Sequence, residues 1–303
     1  MREGFSETEL KRYLATERVQ VERALENALS RILPRVPEEF REALRHGVTS
    51  GGKRLRPILC GAAYRAAGGE GEEIYLLAVS LELIHAYSLM HDDLPCMDDA
   101  DLRRGEPTTH KIHGETRTTV AGALLIPAAA LQAYEGAGAM GLPEETCSLL
   151  VEELARASGG GGMVGGQVLD LLGEDQELSA DQLDDLHRRK TGALLRASLR
   201  MGGIAAGASP QALAGLDGYG EAIGLAFQIA DDLLDATSSA QELGKNPSDA
   251  SLGKSTYVSL FGVEEAHRKA RGLVESAEEA LTQAGLMSPE LVALARYIVE
   301  RKR

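Results

Sequence analysis

The chain has 303 residues, of which 46 are acidic and 32 are basic, so its formal net charge is −14 at pH 7. This surplus of acid excludes a general nucleic-acid binder, because phosphate recognition along a duplex needs a broadly cationic face. Apolar residues make up 44% and charged residues 26%, which is typical of a globular protein with a large core.

Cysteine spacing and the N-terminal sequence indicate the cellular compartment. Cys60, Cys96 and Cys147 show no CxxC or CxxxC spacing, which predicts a reduced chain without a disulfide framework or a zinc site. The N-terminus has no apolar h-region, and the longest apolar run, residues 120–131, contains Pro127 and is too short to span a bilayer. We therefore predict a cytoplasmic protein that neither binds nucleic acid nor spans a membrane.

A helical pattern runs through nearly the whole chain. Apolar residues recur at helical spacing, alternating strand patterns are scarce, and Ala, Leu, Glu, Arg and Gln dominate. Clusters of Gly and Pro interrupt the pattern at helix-length intervals, and no internal repeat or long linker divides the chain. The sequence therefore predicts an all-α fold with a single domain spanning residues 1–303.

The first motif with chemical character is SGGKRLRP, residues 50–57. Its glycines let the backbone approach a ligand closely, and the basic side chains of Lys53, Arg54 and Arg56 match phosphate oxygens. The alternative is a helix closed by glycine and followed by solvated basic residues.

Residues 74–91 are apolar almost all round, which predicts a buried central helix. His85, Ser88 and Asp92 follow one another at i, i+3 and i+7 and so share one helix face. A lone histidine in such a helix is usually a core residue. Its position on the same face as Asp92 favours a functional role for His85.

The stretch HDDLPCMDDADLRRGEPTTH places five aspartates and two arginines around Pro95. Carboxylates this close repel one another unless divalent cations or basic groups neutralise them. Pro95 cannot continue a regular helix, so we expect a kink that brings Asp98 back toward Asp92. Arg103 and Arg104 add cationic forks that suit phosphate groups. The alternative is a solvated acidic loop with local salt bridges.

A glycine-rich stretch, SGGGGMVGGQ, follows in the second half of the chain. No strand precedes it, so a dinucleotide-binding fingerprint is excluded, and the glycines indicate close helix packing or room for a ligand. Gln167 and Asp170 come next, and Lys190 and Thr191 begin a later apolar stretch.

A second acidic cluster occurs in FQIADDLLD, which contains no Gly or Pro and is predicted to be helical. Asp231 and Asp235 at i and i+4 share a face with Gln228, and like charges at that spacing destabilise a bare helix unless a cation lies between them. The later GKST lacks the leading glycine of a P-loop. Two acidic clusters with basic residues nearby predict a site for Mg²⁺ and a diphosphate.

The motifs GGKRLRP, DDLPCMDD, LRRG, GGQ, KTG, FQ followed by DD, and GKST together extend over nearly the whole chain. They resemble those of the trans-isoprenyl diphosphate synthases, in particular the bacterial short-chain type that is similar to farnesyl diphosphate synthase. The resemblance implies an all-α bundle of the isoprenoid synthase type with a central ligand cavity, normally a homodimer. It also implies a prenyltransferase that condenses isopentenyl diphosphate with dimethylallyl or geranyl diphosphate to give farnesyl diphosphate.

The resemblance further implies roles for individual residues. Three Mg²⁺ ions that clamp the allylic diphosphate would be held by Asp92, Asp98, Asp231 and Asp235. Isopentenyl diphosphate would be bound by Lys53, Arg56, His85 and Arg104. The allylic diphosphate would be contacted by Arg103, Lys190, Lys245 and Lys254, and the reacting carbons would lie beside Thr191 and Gln228. The implied catalytic set is Asp92, Asp98, Arg103, Lys190, Thr191, Gln228 and Asp231.

Product length is predicted from Tyr87, five places before Asp92, together with its neighbour Ser88. In related enzymes an aromatic residue there, with a first acidic motif longer by two residues, accompanies a farnesyl product. A tyrosine about one helical turn below the metals can close the cavity. An ordinary core tyrosine is the alternative, and geranyl and geranylgeranyl products stay open.

Two departures from the family pattern stand out. Ala123 replaces the acid of the usual AGDAL, and the segment from Lys245 to Asp249 is one residue shorter than GKxxGxD. Two other classes of protein would show different features. A terpene cyclase would carry an NSE-like second motif and an aromatic-lined cavity, whereas this chain has no Trp and four Phe. A non-catalytic partner subunit would lose an acidic motif, and both are present.

Overall fold

A computed structural model of the protein describes residues 5–174, 176–237, 255–286 and 288–300. The first helices are α1 (Glu7–Ile32), a 3-10 turn (Leu33–Arg35), α2 (Glu38–Thr49), α3 (Leu55–Ala66), α4 (Ile74–Asp92), α5 (Thr109–His113) and α6 (Glu115–Ala139). The later helices are α7 (Glu144–Ser158), α8 (Met163–Leu172), α9 (Ala180–His187), α10 (Ala193–Ala205), α11 (Pro210–Thr237), α12 (Tyr257–Phe261), α13 (Val263–Gln283) and α14 (Pro289–Glu300). Two-residue strands β1 (Leu102–Arg103) and β2 (Glu106–Pro107) pair antiparallel. The predicted all-α class is confirmed.

The chain forms two compact units. The N-terminal unit contains Leu14–Ile58 and Gly71–Val151. The C-terminal unit contains Met1–Tyr13, Leu59–Glu70 and Glu152–Arg303. Each unit carries one of the two acidic clusters. The single domain over residues 1–303 stays a prediction.

In the N-terminal unit, α4 packs along α6. The contact is close because Gly136 faces the α4 backbone, where an added Cβ would lie 2.3 Å from the carbonyl oxygen of Leu76. The side-chain amide of Gln132 donates to that same oxygen at 2.6 Å. Twelve of the nineteen residues of α4 are buried and the other seven are partly buried, so the predicted buried central helix is confirmed. The basic loop, residues 50–54, lies between α2 and the first residues of α3, which also belong to this unit.

In the C-terminal unit, α11 packs against α10 and α13. The helix begins where Ser209 accepts a hydrogen bond from the backbone of Ala212 at 3.2 Å, directly before Pro210, a favoured first helical residue. Leu225, Ile229 and Leu233 form its buried stripe. This stripe fixes which face of α11 presents the second acidic cluster.

Two helices, α4 and α6, are long and apolar enough to cross a membrane by length and composition alone. Core helices of soluble proteins meet the same criterion, and 67% and 50% of the two apolar windows are buried in the protein interior. The absence of a membrane span stays a prediction.

Candidate active site

The first acidic cluster folds back on the end of α4. The helix ends at Asp92, and after Pro95 the backbone N–H of Asp98 donates to the carbonyl oxygen of Asp92 at 2.9 Å. The backbone of Asp99 turns through a positive φ of 44° and donates to Leu94 at 3.1 Å. The turn therefore returns Asp98 to the helix end, as the position of Pro95 predicts.

The other aspartates of this cluster pair with basic side chains. Asp93 is 4% exposed and accepts from Nε and Nη2 of Arg103 at 2.9 and 2.6 Å. Lys111 bonds to Asp101 at 2.6 Å and lies 3.9 Å from Asp99. The salt-bridge alternative thus holds for these three carboxylates.

Burial and neighbouring charges have opposite effects on the pKa of Arg103. Burial by itself lowers the pKa of Arg103, but the hydrogen bond and charge of Asp93, with the charges of Asp92 and Asp98, outweigh it and raise that pKa. The predicted diphosphate contact at Arg103 is therefore a permanently charged group, held in place by a neighbouring carboxylate.

The glycines of the basic loop make room for an arginine. The guanidinium of Arg104 donates to the carbonyl of Gly51, and a Cβ added at Gly52, whose φ is 134°, would lie 2.8 Å from the Arg104 Cζ. The glycines were predicted to let the backbone approach a ligand closely. In the structure, the side chain that lies against them is that of Arg104, from the same unit. Arg54, Asp99 and Arg104 are the non-glycine residues with positive φ in the described chain, and all three belong to this region. Such strain often concentrates at functional sites.

His85 lies in the field of the clustered arginines. Burial, followed by the charges of Arg56, Arg104, Arg103 and Arg54, holds the pKa of His85 well below its usual value. The imidazole is therefore neutral near pH 7 and can donate a hydrogen bond from one ring nitrogen. The positive charge of Arg56 thus acts on His85, and both residues were predicted to bind isopentenyl diphosphate.

The predicted chain-length residues lie on the last two turns of α4. The Tyr87 ring stands edge-on to His91 with ring centroids 5.0 Å apart, and burial together with the charge of Asp92 raises the pKa of Tyr87. Ser88 donates its hydroxyl to the backbone oxygen of His85 at 2.9 Å. The roles of Tyr87 and Ser88 in product length stay predictions.

In the C-terminal unit, a π-helical turn carries Lys190 and Thr191. Gly166 of α8 packs directly on this turn, since an added Cβ would lie 2.1 Å from the backbone nitrogen of Lys190. The Lys190 ammonium bonds to Asp170 at 2.6 Å. The glycine-rich stretch therefore serves close helix packing, and it places Lys190 beside its carboxylate partner.

A polar chain runs from the π-helical turn to α11. The Thr191 hydroxyl donates to Oε1 of Gln228 at 2.7 Å, and Nε2 of Gln228 lies 3.4 Å from Nδ1 of His187. Burial lowers the pKa of His187 to about 4, so its ring is neutral and Nδ1 can accept from the amide. The structure thus joins Thr191 and Gln228, two residues predicted to lie beside the reacting carbons.

The second acidic cluster lies on unbroken helix, as predicted. Asp231 and Asp235 are partly exposed on α11, whereas Asp232 is buried and accepts from the backbone N–H of Tyr257 at 2.8 Å. The Tyr257 hydroxyl donates to Asp184. The middle aspartate therefore serves the packing of the unit. Lys245 and Lys254 lie outside the described residues, as does the shortened segment between Lys245 and Asp249.

Comparison with known proteins places the chain in a family. A family model described as polyprenyl synthetase matches residues 37–287. The chain belongs to this family. Farnesyl diphosphate synthase of Escherichia coli (strain K12) is 43% identical over 284 residues, which cover 91% of this chain and 95% of that protein. A chloroplastic geranylgeranyl pyrophosphate synthase of Catharanthus roseus is 39% identical over 302 residues, 98% of this chain and 82% of that one.

Similar solved structures support the same family assignment. The crystal structure of geranyltransferase from Legionella pneumophila matches with a TM-score of 0.84 and 31% identity, over 97% of each chain. The predicted family, the isoprenoid synthase fold and the prenyltransferase class are thereby confirmed.

The carboxylates of the two acidic clusters fit Mg²⁺ chemically. Mg²⁺ prefers hard oxygen ligands and is usually held by one or two carboxylates together with water and substrate phosphates. Within the described ranges, no three His, Cys, Asp or Glu side chains form a group that could hold a metal ion. Asp92 with Asp98, and Asp231 with Asp235, would each offer a pair. Metal binding at these pairs would therefore depend on diphosphate oxygens.

Sequence reasoning missed the buried partners of the basic residues. Asp93, Asp170 and Glu82 each hold a cationic side chain, and His187 supports Gln228. One signal was available for Glu82, the only acid within the apolar stretch that precedes Asp92. An acid in such a helix is rarely buried without a basic partner.

Proposed function

We propose that the protein is a Mg²⁺-dependent prenyltransferase that condenses isopentenyl diphosphate with dimethylallyl and then geranyl diphosphate to give farnesyl diphosphate. The observation that carries the proposal is the 43% identity to a farnesyl diphosphate synthase over 91% of the chain, with both acidic clusters present. A geranylgeranyl product is the second candidate, favoured by the 39% identity over 98% of the chain to the geranylgeranyl pyrophosphate synthase.

The allylic half of the reaction is assigned to the aspartates of the two acidic clusters and to two basic residues. Bound Mg²⁺, three ions per site held by Asp92, Asp98, Asp231 and Asp235, would supply the positive charge that stabilises the departing diphosphate. Arg103 and Lys190 would contact the same diphosphate, each held in place by a carboxylate, Asp93 or Asp170.

The condensation is assigned to the polar chain and the basic loop. The oxygens of Thr191 and Gln228, 2.7 Å apart, would face the allylic cation and stabilise it by their dipoles. Lys53, Arg56, His85 and Arg104 would hold isopentenyl diphosphate so that its double bond attacks without a second collision. The released diphosphate would take the proton, which agrees with a site that is built of cations and dipoles.

A homodimer is part of the proposal, and α6 supports it. One face of this helix exposes the apolar side chains of Ile126, Leu131 and Tyr134, which are 41%, 53% and 41% exposed. Ala123 is exposed on the same face, where the usual family acid would have interrupted the apolar stripe. A second copy of the chain would cover this stripe. We propose a cytoplasmic location, in keeping with three free cysteines.

The activity is tested by diphosphate release. The purified protein with Mg²⁺ should release diphosphate only when isopentenyl and dimethylallyl diphosphate are both present, and chelation of the metal should stop the release. Folded protein that releases none under these conditions would refute the proposal. Release from farnesyl diphosphate alone, with a volatile hydrocarbon product, would indicate a terpene cyclase instead.

A further inference from the structure

Arg54 points into the protein, unlike the basic residue that precedes it. Lys53 is exposed, whereas Arg54 is 4% exposed. The Arg54 guanidinium donates from Nη1 to Glu82 at 2.7 Å and from Nε to Glu22 at 2.9 Å. Nη2 donates to the backbone oxygen of Val48 at 3.1 Å and to Glu22 at 3.4 Å. Its donors are thus directed at groups of the N-terminal unit.

The backbone of Arg54 has an unfavourable conformation. Its φ is 53°, in the left-handed region that residues with a Cβ rarely adopt. Such a conformation persists only where surrounding contacts hold it, and the contacts here are the ion pairs with Glu82 and Glu22. The carbonyl of Arg54 then accepts from Ile58 at 3.2 Å and so begins α3, which carries Arg56.

The ion pair joins the basic loop to α4. The Glu82 side chain is 3% exposed and lies one turn before His85 on the same helix. Arg104 reaches the loop from the other side, through the carbonyl of Gly51. The negative charge of Glu82 also offsets the mutual repulsion of the neighbouring arginines. Burial lowers the pKa of Arg104. The positive charges of Arg103 and Arg54 lower it further, and the negative charge of Glu82 opposes that change.

We propose that Arg54 is a positioning residue that, through its buried pair with Glu82, pins the basic loop to α4 so that Lys53, Arg56 and His85 are in place before isopentenyl diphosphate binds. Arg54 itself does not contact the substrate. The ligand assigned to these residues rests on the proposed function, whereas the pinning of the loop does not. If the loop is already ordered, the free energy of substrate binding is not reduced by the entropy cost of ordering the loop.

The kinetic test begins with Arg54→Met. The KM for isopentenyl diphosphate should rise about tenfold or more while the KM for the allylic substrate changes by less than about twofold. Arg54→Lys should recover part of the loss, because one ammonium can pair with Glu82 but cannot also reach Glu22 in two directions.

A double variant separates positioning from stability. Arg54→Met alone leaves Glu82 buried without its partner, which lowers Tm. The double variant Arg54→Met with Glu82→Met removes both charges and should recover most of the Tm, but the KM for isopentenyl diphosphate should stay high. Recovery of both Tm and KM would show a purely structural role and overturn the proposal.

Arg200→Met is the matched control. Arg200 of the C-terminal unit bonds to Glu153 at 2.7 Å and to Asp217 at 2.6 Å, an ion-pair network comparable to that of Arg54. Its loss should lower Tm and leave both KM values unchanged. A rise in the KM for isopentenyl diphosphate in this control would attribute the Arg54 effect to general destabilisation and so contradict the proposal.

Hydrogen exchange on ligand-free protein gives a readout that needs no activity. In Arg54→Met, peptides covering residues 50–56 should exchange about tenfold faster while those of α4 stay protected. Unchanged exchange would overturn the pinning. If Lys53→Gln leaves the KM for isopentenyl diphosphate unaltered, the substrate assignment fails, and the exchange experiment still decides the pinning on its own.

Discussion

At the scale of single residues, carboxylates have two roles in this protein: some pair with basic side chains, and others are proposed to bind a cation. Asp93 and Asp170 each hold one basic side chain, at 2.6 Å in both cases. A buried cation with such a partner keeps its charge and its direction, so it can meet a diphosphate without rearrangement. The more exposed Asp231 and Asp235 are arranged as a pair on one helix face, which is the arrangement that a divalent cation favours.

Substitution separates the two roles. Asp92→Ala and Asp231→Ala should each lower kcat by about 100-fold or more, because charge on the departing diphosphate is no longer neutralised. Asp101→Ala is the control, since its side chain is 78% exposed and pairs with Lys111. Steady-state turnover is the measurement. A near-normal rate in Asp92→Ala or Asp231→Ala would refute the metal role of that residue.

At the scale of elements, α4 carries most of the N-terminal unit's site. Glu82, His85, Tyr87 and Asp92 follow one another along its last three turns, so the basic loop, the proposed cavity floor and the first acidic cluster share one rigid support. Twelve of the nineteen residues of this helix are buried, and their close packing makes the support stiff.

Shortening one side chain of α4 should lengthen the product. Tyr87→Ala would open space about one turn below Asp92, so the products should shift to twenty carbons or more with turnover largely retained. Tyr87→Phe keeps the ring and should keep the wild-type product length. Chromatography of the dephosphorylated products measures this. An unchanged length in Tyr87→Ala would show that Tyr87 does not close the cavity.

Much of the element pattern follows from the sequence, and parts of the site do not. The apolar periodicity and the breaks at Gly and Pro are enough to predict the helices. Pro95 is enough to predict the turn that returns Asp98 to Asp92. The inward direction of Arg54 depends on Glu82, 28 residues away, so local pattern cannot predict it. The π-helical turn that carries Lys190 and the two-residue strands are too short to leave a periodic signal.

At the scale of the whole molecule, each of the two compact units contains a histidine whose ring is neutral near pH 7. Burial holds the pKa of His85 well below the usual value of 6.5 and lowers that of His187 to about 4. Since burial opposes the charged form, both rings resist protonation in the folded chain.

The free energy of unfolding should therefore fall on acidification. Between about pH 6.5 and 4 the unfolded chain binds protons at these positions that the folded chain does not bind, so stability rises with pH across this window. Each such proton contributes a slope of at most about 1.4 kcal/mol per pH unit. Denaturant unfolding of ligand-free protein measures the slope. His187→Gln should reduce the slope, whereas equal slopes in the wild-type protein and in His187→Gln would contradict the assignment.

Assembly is the second property of the whole molecule. Leu131→Glu places a charge in the exposed stripe of α6 and should convert a dimer to monomers, because an unpaired charge at an apolar interface is costly. Val19→Glu on α1, where Val19 is 65% exposed, is the control and should leave the dimer intact. Light scattering after size-exclusion chromatography gives the mass. Monomeric wild-type protein would refute the proposed homodimer.

The central claim is the identity of the reaction and its product. The most direct test is chromatography of the dephosphorylated products that the wild-type protein makes from isopentenyl and dimethylallyl diphosphate with Mg²⁺. We expect farnesol as the main alcohol, with geraniol as the minor intermediate. Geranylgeraniol as the main product, or no prenyl alcohol beyond five carbons from folded protein, would contradict it.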